Sequence, residues 1–209
     1  MRIYNNILPA ACILFCCSSI FSCNNAEKKT ATIGSSDSIT NMDTSMHDIN
    51  TMPDTMTVAA ATATISGTYP DTLVNGTATF ETATDGKIKM TVDITVLAQA
   101  NKKVALHLHE HGDCGDNGKA SHGHWNPTNA QHGKWGSAAF HAGDIGNVKL
   151  DAKGKGTLTI TTDLWTLGGQ ADKNILGKAI IVHGGVDDYT TQPTGNAGGR
   201  IGCGVIRGK

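Results

Sequence analysis

The feature that most restricts this chain is the stretch from Leu106 to Asp144. It holds seven of the nine histidines: His107, His109, His111, His122, His124, His132 and His141. The stretch opens Leu106-His107-Leu108-His109, a strict alternation. In a strand, successive side chains point to opposite faces. Both imidazoles therefore leave one face while both leucines enter the core. Any fold for this chain must bury the leucines and gather imidazoles on the other side. Neutral imidazole is the commonest metal ligand near neutral pH, so this crowding beside Asp144 points to a transition-metal site. A His-x-His pair alone is weak evidence, because two surface histidines would look the same. The other rings carry the argument, with His183 downstream; His47 lies upstream.

The sequence around this stretch is β-type. From about residue 59, short runs of Val, Ile, Thr and Leu alternate with Gly, Asn and Asp, and no long amphipathic helical pattern appears. Strands are expected at 60–67, 73–82, 87–97, 103–110, 146–151, 155–163, 178–183 and 201–206. Such spacing predicts an all-β sandwich or barrel. The turns Thr84-Asp85-Gly86-Lys87 and Ala152-Lys153-Gly154-Lys155 read as hairpin connections. Segments 111–145 and 184–200 break the rhythm. Loops this long without regular structure are usually functional and need something to pin them. The domain carries 14 basic against 13 acidic residues, so no basic surface argues for a nucleic-acid partner.

The first 58 residues read differently. Arg2 followed by the mostly apolar run Ile7 to Phe21 predicts a secretory signal over residues 1–22. A short membrane anchor is the other reading, but the run falls below the ~20 apolar residues a span needs. Its end, Ile20-Phe21-Ser22-Cys23, resembles a bacterial lipobox. That resemblance implies cleavage before Cys23 and lipidation of it; Cys16 and Cys17 fit less well. Residues 23–58 are rich in Ser, Thr, Asn and Met, and read as a disordered tether that cannot offset its chain entropy. Met42, Met46, Met52 and Met56 lie there; thioether sulfur suits Cu(I) and could make a weak copper-collecting arm, but compositional drift in a disordered linker is the favoured reading. Of six cysteines, those at 12, 16 and 17 leave with the signal and Cys23 takes lipid. The remaining pair, Cys114 and Cys203, is expected to join in an oxidising compartment.

Several motifs together resemble one family. They are His107-Leu108-His109-Glu110-His111-Gly112-Asp113, Gly123-His124-Trp125-Asn126-Pro127, His132-Gly133, His141-Ala142-Gly143-Asp144-Ile145-Gly146-Asn147, Val182-His183 and Gly195 through Ile206. In order and spacing they look like copper/zinc superoxide dismutase over roughly 104–206. The resemblance implies an eight-stranded Greek-key barrel or sandwich, immunoglobulin-like, with two long functional loops. It implies one copper and one zinc per chain. His107, His109, His124 and His183 would hold copper, and His124, His132, His141 and Asp144 would hold zinc, with His124 shared. Asp187 would link ligands of the two metals, and Arg200 would dock the superoxide anion. His124 and Arg200 would be the catalytic residues. His111 and His122 have no role in the family pattern.

The donor chemistry is consistent with that division. Three imidazoles and a carboxylate make a closed site suited to zinc. Four imidazoles suit copper. The expected activity is dismutation of superoxide to dioxygen and hydrogen peroxide by a copper redox cycle. The alternative is a non-enzymatic copper or zinc carrier on the same fold, for which Arg200 would be superfluous. A zinc hydrolase fares worse, since no His-Glu-x-x-His helix motif is present. The expected setting is the cell envelope of a bacterium, as an exported, membrane-anchored lipoprotein, and a homodimer is possible. The short loop 184–200 carries Asp187 and Asp188 but no lysine, so steering charges of the eukaryotic type are not expected there.

Overall fold

In the computed structural model of the protein, the described residues are 56–209. The expected signal at 1–22, Cys23, His47 and the tether as far as residue 55 lie outside them. Nine strands follow in order: β1 (Ala60–Gly67), β2 (Val74–Thr82), β3 (Ile88–Val96), β4 (Lys103–His109), β5 (Gly146–Lys149), β6 (Lys155–Thr162), β7 (Ala179–His183), β8 (Arg200–Val205) and β9 (Arg207–Gly208). Neighbours are antiparallel in the order β5-β4-β7-β8-β1-β2-β3-β6. The first and last strands of that path are consecutive in sequence. The turn between them is tied by Asp151 N–H donating to the Lys155 carbonyl at 2.8 Å. The result is a nearly closed eight-stranded barrel. The connections from β3 to β4 and from β6 to β7 join strands that are not neighbours, which is the Greek-key element of the topology.

Side-chain alternation explains which faces are wet. In β3, Ile88, Met90, Val92, Ile94 and Val96 are buried, while Lys89 and Asp93 between them are exposed. The core they enter also holds Phe80, Leu106, Leu108, Ile180, Val182 and Trp165. β4 and β7 depart from this pattern. Val104 to His109 and all of β7 are buried on both faces. Their inner faces (Leu106, Leu108, Ile180, Val182) fill the barrel. Their outer faces carry His107, His109, Ile181 and His183, beneath the loops 110–145 and 184–199. The loops act as a lid over these two strands, and the site lies in the layer between.

Three details differ from the sequence-based expectation. β9 is too short to show any periodicity, and exists because Arg207 and Gly208 pair with Thr62 and Ala61 of β1. Thr57 and Val58, expected in the tether 23–58, already belong to the folded unit. Thr57 bridges to Gly168, and Val58 donates its N–H to the Leu167 carbonyl at 2.9 Å. Arg200, expected at the end of a loop, opens β8.

Candidate metal centre

One half of the site is built on a carboxylate. Asp144 is fully buried, and three ring nitrogens converge on it. His124 Nδ1 lies 2.8 Å from Oδ1, His132 Nδ1 3.0 Å from Oδ2, and His141 Nδ1 3.1 Å from Oδ1. The backbone N–H groups of His141 and Gly133 donate to Oδ2 at 2.8 and 3.1 Å, which holds the carboxylate in place. The other half gathers His107 and His109 from β4, His183 from β7, and the far side of His124. Ring centroids of His107 and His124 are 3.8 Å apart, and those of His107 and His183 are 4.9 Å apart. His124 therefore belongs to both groups, with one nitrogen facing each.

The outward nitrogens are already engaged. His107 Nε2 and His132 Nε2 each lie 2.9 Å from an oxygen of Asp187. His109 Nδ1 meets the His122 carbonyl at 2.8 Å, and His183 Nδ1 meets the Gly198 carbonyl at 3.2 Å. A carbonyl only accepts, so those nitrogens carry the proton and the opposite ones present lone pairs. His109 Nε2 and His183 Nε2, both lone-pair atoms, then face each other at 3.4 Å. Two more buried ring nitrogens, His107 Nδ1 and His124 Nε2, have no partner at all, and His132 Nδ1 and His141 Nδ1 face Asp144 without the geometry of a hydrogen bond. Buried polar atoms without partners cost about 1–3 kcal/mol each. Inward-facing lone pairs around two centres are the arrangement that two cations would satisfy. The residues fit a copper and a zinc ion.

Charge follows the same division. Burial pushes His109, His183 and His124 down to about 2, 3 and 4, with the fields of neighbouring rings adding to the effect at His109 and His183. Burial lowers His107 as well. Burial would lower His132 too, but its contacts with Asp144 and Asp187 outweigh it and hold the ring up at about 9. Burial works against the charged forms of Asp144 and Asp187, yet the histidine contacts hold both below the usual carboxylate range. Apart from His132, the shifted rings thus stay in the neutral, ligating form at ordinary pH.

Arg200 sits beside this layer. Its guanidinium donates to the carbonyls of Gly118 and His122 and, at 3.0 Å, to Ser121 Oγ. Its charge reaches His109 and His183, where it helps to disfavour protonation. The 3₁₀ segment Asp116–Ser121 that cradles it is anchored by the disulfide Cys114–Cys203, whose Cα atoms are 5.8 Å apart. Cys203 and Arg200 share β8, so the bond and the guanidinium secure the same loop from one strand.

Other residues position the site without having been assigned a role from the sequence. Gln192 accepts from His132 N–H and donates to the His132 carbonyl, each at 2.9 Å. Asn147 accepts from Asp187 N–H and donates to the Asp187 carbonyl, also at 2.9 Å. Gly195 leaves the space that Asp187 occupies: a Cβ there would lie 1.9 Å from Oδ1. Gln192 lies in a loop outside the quoted motifs, so nothing local marks it. His111 and His122 belong to neither group of ligands; both are exposed.

Comparison with known proteins gives a consistent picture. The family described as copper/zinc superoxide dismutase (SODC) matches residues 74–206. Superoxide dismutase [Cu-Zn] 2 of Aquifex aeolicus (strain VF5) is 41% identical over 112 residues, covering 51% of this chain and 65%, just under two thirds, of that protein. The superoxide dismutase [Cu-Zn] of Paramecium bursaria Chlorella virus 1 is 39% identical over 64% of this chain and 72% of its own length. That of Podospora anserina is 39% identical over 65% of this chain and 91% of its own. Among solved structures, the crystal structure of the clock protein EA4 is similar, with a TM-score of 0.63 and 34% identity. The likeness covers 73% of this chain and 96% of that one.

Proposed function

Since this chain belongs to the copper/zinc superoxide dismutase family, we propose that it dismutates superoxide at this centre from a membrane-anchored position in a bacterial cell envelope. The observation that carries the reading is His124, whose two nitrogens serve two different groups of ligands beside a braced arginine. His107, His109, His124 and His183 would hold copper; His124, His132, His141 and Asp144 would hold zinc. When bound, copper supplies one-electron exchange with superoxide, and zinc supplies a fixed charge that orders the shared ring.

The chain's own part is binding, orientation and proton handling. Arg200 keeps its charge at working pH and presents a planar fork of donors. Three of its contacts go to the loop, leaving further N–H groups to receive an anion. Asp187 holds His107 and His132 at fixed orientations from one carboxylate. Asp144 fixes Nδ1 of His124. The atom left to accept and release a proton is His124 Nε2, which is buried and otherwise unpartnered.

Metal content and dismutation rate measured on one purified sample test the activity. One copper and one zinc per chain with fast turnover is the expected result. Both metals without turnover would favour the carrier reading instead, though a carrier has no use for an anion-docking arginine. The lipobox-like Phe21-Ser22-Cys23 supports the anchored location. Cys23→Ala should move the protein from the membrane fraction to the soluble one, and an unchanged distribution would count against lipidation. Sedimentation of the mature protein by analytical ultracentrifugation tests whether it forms a homodimer.

A further inference from the structure

Among the described residues, two histidines are left over from both ligand groups. His111 and His122 are far enough apart in sequence to be independent, yet their ring centroids are 4.4 Å apart at an interplanar angle of 66°. Glu110 joins them: one ligand atom from each of the three lies within 4.8 Å of the others. All three side chains are exposed. Among the described residues, none of the three side chains has a hydrogen bond or ion pair of its own.

The backbone holds the group together. His109 and His124 form an antiparallel bridge, and Glu110 N–H donates to the Gly123 carbonyl at 3.1 Å. His111 N–H donates to the Ser121 carbonyl, also at 3.1 Å. Segment 109–111 thus runs beside 121–124 as a short ribbon, and the disulfide at Cys114 secures it. His122 occupies φ 62°, ψ −143°, a region that glycine adopts freely and other residues adopt at a cost. Its ring is carried there against that cost, onto His111.

We propose that Glu110, His111 and His122 form a third, solvent-facing site for a borderline divalent transition metal of the class of Zn(II) or Cu(II). Two imidazoles and a carboxylate with open positions make an accessible donor set for such ions. No thiolate or thioether is among the ligands, so Cu(I) is not the occupant. Exposure makes the site weaker and faster-exchanging than the buried pair. The proposal uses side chains that neither buried group uses, so it stands apart from the dismutase reading.

The test uses protein already loaded with one copper and one zinc per chain, titrated with zinc chloride by calorimetry in a buffer that does not chelate. One further equivalent per chain is expected. His111→Ala and Glu110→Gln should each weaken it by at least about tenfold, with both buried metals retained and, in His111→Ala, an unchanged dismutation rate. His122→Gly removes the ring while keeping the carbonyl and relieving the backbone, so it should abolish the equivalent without lowering the melting temperature. Absence of a further equivalent in the unsubstituted protein overturns the proposal. So does a further equivalent that His111→Ala leaves unchanged.

Discussion

At the scale of single residues, chemistry is decided by which nitrogen of each ring is free. Carbonyls and Asp187 engage the outward nitrogens of His107, His109 and His183, so their lone pairs point inward. His124→Ala removes the one ring common to both groups, and should abolish most dismutation and lower both copper and zinc content by elemental analysis. Arg200→Ala should lower the rate roughly ten- to hundredfold and flatten its dependence on ionic strength, with copper content unchanged. Full activity in that variant would contradict anion docking. The metal-free protein has its own pH signature. His109, His183 and His124 sit at about 2, 3 and 4 in the folded state, against an ordinary 6.5. The unfolded chain therefore binds more protons below about pH 6.5, and stability falls as pH drops from there toward 4. His132 is held at about 9; its contribution is complete below 6.5 and is lost as pH rises through 9. Melting of the metal-free protein should peak near neutrality, with the acid limb steeper because the lowered rings, His107 among them, outnumber the one raised ring. A flat profile between pH 4 and 7 would refute this.

At the scale of elements, two strands and two loops share the work. β4 and β7 offer alternate residues on one outer face, a regular two-residue spacing that loops could not hold by themselves. The loops then supply the partners: loop 110–145 brings His124, His132, His141 and Asp144, and loop 184–199 brings Asp187 and Gln192. Asp187 touches ligands in both groups and so ties the second loop to the first. Asp187→Asn keeps the shape but loses the charge that both rings face. Such partners are typically worth 10–100-fold in metal affinity, so chelator competition should show zinc and copper released together. Gln192→Ala breaks the clamp on His132 and touches no other ligand, so its effect should be smaller and confined to zinc. Release of copper alone from Asp187→Asn would show that the tie is one-sided.

At the scale of the whole molecule, the disulfide joins the two ends of the site across 89 residues of sequence. Loop-closure entropy gives a bridge of that span about 4–5 kcal/mol, less any strain. For a domain of this size, Cys203→Ser should lower the melting temperature by roughly 10 °C or more. It should also weaken anion docking, because the segment that cradles Arg200 loses its anchor. A melting temperature within a degree or two of the parent would mean the loop is held by its other contacts. The barrel was largely legible in the sequence, because runs such as Ile88 to Val96 alternate in and out and Gly-rich turns punctuate them. The crowding of imidazoles on one face was legible too, since Leu106-His107-Leu108-His109 admits only one alternation. β9, the docking of Thr57 and Val58, and the roles of Gln192, Asn147 and Gly195 were not. Each depends on a partner distant in the chain, and none repeats. The sequence by itself determined which side chains a strand must turn outward, because pleat and period are local properties of the backbone. Only the tertiary structure decided which ring nitrogens face inward and that His111 and His122 meet. Those outcomes depend on hydrogen bonds and ribbon register between segments brought together only when the chain folds.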